Sequence, residues 1–246
     1  MQEKRVMWDM PITVEVLDTR VGLHDLNKVY DYFKYVDDTF STFNKNSEIE
    51  RINRGELSLA DASRDVKEVL KLCDQTKEDS HGYYDINRSG RLEPLGLVKG
   101  WAIFKASQIL DGLGFTNYYV EAGGDIQVKG PGHQCDGWHI GIRNPFKHQE
   151  IVKTVKLIEG GVATSGTSAR GQHIYNPFKP GQPILEIASL TVIGPNIYEA
   201  DRMATPAFAM GTEGINFIEA LPGLEGYLID KDGLATYTSG FTNYVV

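Results

Sequence analysis

The amino-acid sequence predicts an α+β fold, and three observations carry the prediction. Up to Leu113, apolar residues recur mostly at helical spacing. From residue 117 onward, short runs of strand-forming residues bounded by glycines dominate. The two kinds of element do not alternate regularly, as they would around a parallel sheet.

A strand is expected at 12–17 (ITVEVL), where apolar and polar residues alternate as on a half-buried sheet. Residues 24–40 place Leu26, Val29, Tyr30, Phe33, Val36 and Phe40 along one stripe, an amphipathic helix. Residues 41–47 are turn-rich, and Ser47 with Glu50 matches a capping box ahead of a short helix carrying Ile49 and Ile52. A third helix is expected over 61–79, with Val66, Val69, Leu70 and Cys73 on one face and His81-Gly82 as its stop. A fourth runs from Lys99 to Leu113 after a glycine-containing entry. Strands follow at 117–122 and 125–129, joined through Gly123-Gly124, then at 138–143, 151–158 and 184–193. A helix over about 198–211 precedes two strands, 226–230 and 234–238, with Lys231-Asp232-Gly233 as their hairpin turn.

With 246 residues and 41% hydrophobic content, the chain has enough apolar surface for a sizeable core in one large domain or two small ones. The net charge, 25 − 33 = −8, argues against nucleic acid as a partner. It leaves room for a phosphate-bearing ligand, since one cationic pocket is enough, and a divalent cation would help an acidic protein hold pyrophosphate. Cys73 and Cys135 show neither CxxC nor zinc-ligand spacing. No apolar run is long enough for a membrane span, and the first residues lack the apolar centre of a signal peptide. The chain as given therefore reads as cytoplasmic, or as exported if a leader has been trimmed from it.

Four segments have the residue types for chemistry, although each taken alone has an ordinary structural explanation. Leu97-Val98-Lys99-Gly100 reads as a glycine-flanked loop entering a helix, where backbone N–H groups and a lysine suit phosphate. Glu121-Ala122-Gly123-Gly124-Asp125 lets a ligand approach the backbone closely. Thr164-Ser165-Gly166-Thr167-Ser168 reads as a hydroxyl-rich glycine loop, with Arg170 and His173 close behind; the GxSxG elbow of a serine hydrolase is absent. Asp201 and Thr205, four residues apart, put a carboxylate and a hydroxyl on one helical face, a donor set that suits Mg²⁺.

Together and in this order, these segments resemble the ApbE family of FAD:protein FMN transferases. The resemblance runs from Met10 to Gly211 through STFNKNSEIERIN (41–53), GYYDINRSG (82–90), LGLVKG (95–100), EAGGDIQVKG (121–130), WHIGIRNP (138–145), GVATSGTSARGQHIYNP (161–177) and TVIGPNIYEADRMATPAFAMG (191–211). It implies a single ApbE-like (T-fold-like) domain over 1–246, with mixed or antiparallel sheets flanked by helices and an FAD cleft between lobes. By position, Asp201, Thr205 and a backbone carbonyl near Val98 match metal ligands. Phe43, Lys99, Gly123, Gly124, Asp125, Thr164, Ser165, Gly166 and His173 match the flavin site. His173 and Asp201 match the catalytic residues, His173 as the base that deprotonates the acceptor.

The implied reaction is Mg²⁺-dependent transfer of FMN from FAD to a Ser or Thr hydroxyl of an acceptor flavoprotein bearing a flavinylation motif, with AMP released. The alternatives are an FAD pyrophosphatase, in which water attacks instead, and a flavin-binding protein without turnover. The sequence departs from the family pattern at several places. Glu93, Leu95 and Gly96 stand where Asp-x-Gly-Gly is usual, Asn176 replaces the Asp of the histidine motif, and Pro206 follows Thr205 where Ala is usual. Met10-Pro11-Ile12 stands where Met-Gly-Thr is common.

Overall fold

Apolar stripes on helices and fully apolar strands must be buried against one another, and here they are buried in layers on one sheet. The structure, a computed structural model, describes residues 1–147, 149–166 and 174–246. Its strands are β1 (Gln2–Met7), β2 (Met10–Val16), β3 (Asn87–Arg88), β4 (Arg91–Leu92), β5 (Tyr118–Ala122), β6 (Asp125–Lys129), β7 (Trp138–Arg143), β8 (Ile151–Leu157), β9 (Glu159–Gly166), β10 (Ile187–Gly194), β11 (Glu225–Asp230) and β12 (Ala235–Tyr237). Its helices are α1 (Leu23–Phe40), α2 (Glu48–Asn53), α3 (Arg64–Asp79), α4 (Leu95–Gly112), α5 (Ile197–Ala209) and α6 (Gly214–Glu219).

Eight strands form one sheet in the order β1-β2-β5-β6-β9-β10-β11-β12, antiparallel at every pairing. β10 (IASLTVIG) lies inside this sheet and is buried along its whole length, Ser189 and Thr191 included. One face carries the larger core, in which Leu26, Phe33 and Val36 of α1, Ile103 and Leu110 of α4 and Met203 and Phe208 of α5 meet Val14, Val120, Leu190 and Val192. On the other face the β7–β8 hairpin packs Trp138, Ile140 and Val155 onto Val128, Val162 and Ile193. The α+β expectation therefore holds. No helix among the described residues is long and apolar enough to cross a membrane.

Several local expectations are corrected. β1 was not foreseen because half of its residues, QEKRVM, are charged, as suits an edge strand that must not recruit another chain. The expected glycine loop at Thr164-Ser165-Gly166 is the end of β9, paired with Ser189–Thr191 of β10. α4 begins at Leu95, four residues earlier than expected, which puts Val98 and Lys99 inside the helix. The Ser47 hydroxyl does accept the Glu50 N–H, but the Glu50 carboxylate leaves the box for Arg91 at 2.6 Å. That pair ties α2 to β4. At α1 only the return half of such a box is present: the Gly22 N–H donates to the Asp25 carboxylate at 3.0 Å, and glycine has no side chain to accept in exchange.

Candidate functional site

The site is built where two helices approach unusually closely. Gly96 and Gly100 lie one turn apart on one face of α4, and Asp201 and Thr205 lie one turn apart on α5. A Cβ at Gly100 would fall 2.6 Å from the Asp201 Cβ and 3.0 Å from the Ile197 carbonyl oxygen; one at Gly96 would fall 3.8 Å from the Thr205 methyl. The helices thus run antiparallel along a glycine seam, Gly100 against Asp201 and Gly96 against Thr205.

The start of α5 is fixed from three sides. The Asn196 side chain accepts the Glu199 N–H at 2.9 Å, and the Gln127 side-chain oxygen accepts the Ile197 N–H at 2.8 Å. Gly161 of β9 touches the helix start directly, since a Cβ there would fall 2.1 Å from the Ile197 nitrogen. These contacts deliver Asp201, which is 4% exposed, to the end of the seam. Its Oδ2 accepts the Gly100 N–H at 2.8 Å. One of the backbone N–H groups of the 97–100 segment is thus engaged within the protein.

Asp125, at the start of β6, is 1% exposed. Its Oδ1 accepts the Thr164 N–H at 3.1 Å, and its Oδ2 lies 2.5 Å from the Lys99 ammonium with no aligned hydrogen-bond donor. Burial first, and the neighbouring Asp125 carboxylate second, push the Asp201 carboxyl up to about 8, against the pull of Lys99 and the Gly100 N–H. Two buried carboxylates thus share one lysine. The Thr205 hydroxyl, half-buried, makes no hydrogen bond among the described residues.

The residues fit a hard divalent cation. All available donors are oxygens, and with Asp201 ionised beside Asp125 and Lys99 one negative charge would be in excess. Among the described residues no three His, Cys, Asp or Glu side chains gather to hold a metal alone. A cation here would therefore share its shell with ligand oxygens. The Val98 carbonyl lies in the first turns of α4, one turn before Ala102, rather than in a loop before it.

Lys99 also lines a cleft of about 400 Å³, together with Leu95 and Val98 of α4, Phe43, and Trp8, Asp9 and Met10 at the β1–β2 turn. The Phe43 ring is 88% exposed and has a free face. Trp8 and Asp9 both hold left-handed backbone (φ 55° and 56°), as the two-residue hairpin turn between Met7 and Met10 requires. Gly123 and Gly124 form the β5–β6 tip, both at positive φ, with the Gly124 N–H bonded to Glu121.

The structure thus gathers Lys99, Asp125, Thr164, Asp201 and Thr205. Ser165 is buried in β9 and Gly166 pairs with Ser189 in the ladder, so neither belongs to a loop. His173 lies outside the described residues. Gln127 escaped the sequence reading because a polar residue inside a strand gives no local sign of the helix it caps.

Residues 8–93 and 87–228 match the sequence profile of the ApbE family. The FAD:protein FMN transferase of Vibrio cholerae is 34% identical over 158 residues, 58% of this chain and 46% of that protein. That of Klebsiella pneumoniae is 29% identical over 145 residues, 55% of this chain and 41% of the relative. Each match spans less than half of the relative. In fold, the chain is similar to the flavin transferase ApbE from Vibrio cholerae (TM-score 0.85, 20% identity, 99% of each chain covered). It is also similar to the ApbE protein of Thermotoga maritima (TM-score 0.88, 19% identity, 99% of this chain and 98% of that one). With its profile match extending over most of its length, the chain belongs to the ApbE family.

Proposed function

We propose that this protein transfers the FMN half of FAD to a Ser or Thr hydroxyl of an acceptor flavoprotein, with Mg²⁺ at the Asp201–Thr205 face. The observation that supports it most is the convergence of Asp201, Asp125, Lys99 and Thr205 from three elements beside the cleft. The names of the curated relatives agree with it.

In this reading, Asp201, Thr205 and a carbonyl near Val98 would hold the cation, which supplies positive charge to the pyrophosphate oxygens. Lys99 binds those oxygens from the cleft side, and Asp125 holds Lys99 in place. Phe43 and the Gly123-Gly124 tip bind and orient the flavin nucleotide. The acceptor oxygen forms a bond to the FMN-side phosphorus as the bridging P–O bond breaks, and AMP departs with the bridging oxygen. The acceptor proton passes to a base, the role assigned to His173 by its place in the family motif.

The test mixes purified protein, FAD and Mg²⁺ with and without a peptide bearing the flavinylation motif, alongside an EDTA control. AMP release with a matching mass gain on the peptide supports the transferase. AMP with only free FMN points to a pyrophosphatase, and FAD binding without AMP to a flavin-binding protein.

A further inference from the structure

Tyr84 stands directly behind the seam, where none of the expected roles falls. The chain leaves α3 through Ser80, whose hydroxyl accepts the Tyr84 N–H at 3.1 Å. His81 and Gly82 then both turn left-handed, at φ 54° and 85°. The conformation is costly at His81. It sends successive side chains to opposite sides: Tyr83 goes outward against Phe178, ring centroids 4.8 Å apart, and Tyr84 goes inward, where it is 5% exposed.

Inside, the phenol ring ends at the first turn of α4. A Cβ at Gly96 would fall 3.4 Å from Tyr84 Cε2, 3.8 Å from its hydroxyl and 3.8 Å from the Thr205 Cγ2. Tyr84 and the Thr205 methyl, on different elements, therefore both line the space over Gly96. Cys73 of α3 backs the ring, its sulfur 3.8 Å from the Tyr84 oxygen, the hydroxyl's one hydrogen-bond partner among the described residues. Burial first, then Cys73 and then Asp201 hold the phenol well above its ordinary pKa, so it stays a neutral ring and hydroxyl.

Threonine has two heavy atoms on Cβ, and a staggered rotamer fixes both together. While the methyl stays in the space over Gly96 that Tyr84 also lines, the hydroxyl is confined to another staggered position. We propose that Tyr84 is a positioning residue: by walling that space it keeps the Thr205 methyl there and so holds the Thr205 hydroxyl toward the cation. This rests on the functional reading above, which puts a divalent cation at Asp201 and Thr205.

The experiment is a double-mutant cycle between Tyr84→Leu and Thr205→Val, with Tyr84→Phe as the conservative variant. Mg²⁺ is titrated calorimetrically into protein loaded with FAD, and AMP release in the presence of the acceptor peptide is followed in parallel. Tyr84→Leu is expected to weaken Mg²⁺ binding about tenfold, the scale of an outer-shell partner, with metal-free FAD binding unchanged. Tyr84→Phe, which keeps the ring, stays within about twofold of the parent. In the Thr205→Val background, Tyr84→Leu produces no further loss, because there is no hydroxyl left to position. Mg²⁺ affinity unchanged in Tyr84→Leu, or equal losses in both backgrounds, overturns the role of Tyr84. Mg²⁺ binding to the FAD-loaded parent without AMP release overturns the transferase reading while leaving the cycle interpretable. A parent that takes up no Mg²⁺ overturns both.

Discussion

Gly100 and Asp201 are joined across the α4–α5 seam by a backbone N–H that donates to a buried carboxylate at 2.8 Å. The bond exists only because residue 100 has no side chain. In Gly100→Ala the new methyl group would sit 2.6 Å from the Asp201 Cβ and 3.0 Å from the Ile197 oxygen, and neither can move without shifting α5. We expect a loss of roughly 1–3 kcal/mol in thermal or urea unfolding, the usual cost of overpacking, together with loss of Mg²⁺-dependent FAD cleavage. Gly112→Ala, on the same helix but in open space, should instead add roughly 0.5–1 kcal/mol. Two alanines with the same sign of effect would contradict the seam.

Gln127 bridges a sheet and a helix. Its amide oxygen accepts the Ile197 N–H and its nitrogen donates to the Val128 carbonyl at 3.1 Å, all in buried surroundings. Gln127→Leu fills the space but strands the helix N–H, which Asn196 does not reach because it serves Glu199. The expected cost is roughly 1–3 kcal/mol, read as a lower urea midpoint at unchanged slope. A neutral result would mean that another group caps α5.

Asn176 replaces an aspartate of the family motif, and the structure gives the amide a use. Its nitrogen donates to the Ala209 carbonyl at the end of α5 at 3.0 Å, and its oxygen accepts the Phe178 N–H at 2.9 Å. An aspartate keeps the second bond, loses the first and brings negative charge to the negative end of a helix. Asn176→Asp should cost roughly 1–3 kcal/mol at neutral pH and less under acid, where the carboxyl carries its proton. Unfolding midpoints at pH 7 and pH 4 test this, and a larger loss at pH 4 would count against it.

Sequence legibility followed the locality of the signal. α1 was readable because Leu26, Val29, Phe33 and Val36 repeat on one stripe, and the structure buries that stripe. Asp201 and Thr205 were readable as a pair because four-residue spacing on a helix is local geometry. Their partners were not, since nothing near Gly96 or Gly100 states which helix they will face. β9 was hidden for a related reason: Gly160 and Gly161 break the strand pattern, and Gly161 does so to admit the start of α5. Pro206 lies inside α5 although proline is a poor interior residue, and burial in the core outweighs the missing N–H.

Asp201 also gives the metal-free protein a defined pH dependence. Its carboxyl is raised from the ordinary 3.8 to about 8, first by burial and then by the Asp125 carboxylate. The folded state therefore holds a proton that the unfolded chain has released, and stability falls as pH rises through that window. Asp201→Asn keeps an oxygen for the Gly100 N–H, carries no charge and brings an N–H toward the donor-poor Asp125 oxygen. In EDTA, the melting temperature of the parent should fall between pH 5 and pH 8 more steeply than that of Asp201→Asn. Added Mg²⁺ should raise the parent most at the alkaline end, where the ionised carboxylate is ready to bind it, and leave the variant unmoved. The variant should also lose Mg²⁺-dependent AMP release. Parallel pH profiles in EDTA would show that Asp201 keeps an ordinary carboxylate pKa in the fold, and equal stabilisation of both proteins by Mg²⁺ would move the cation away from α5.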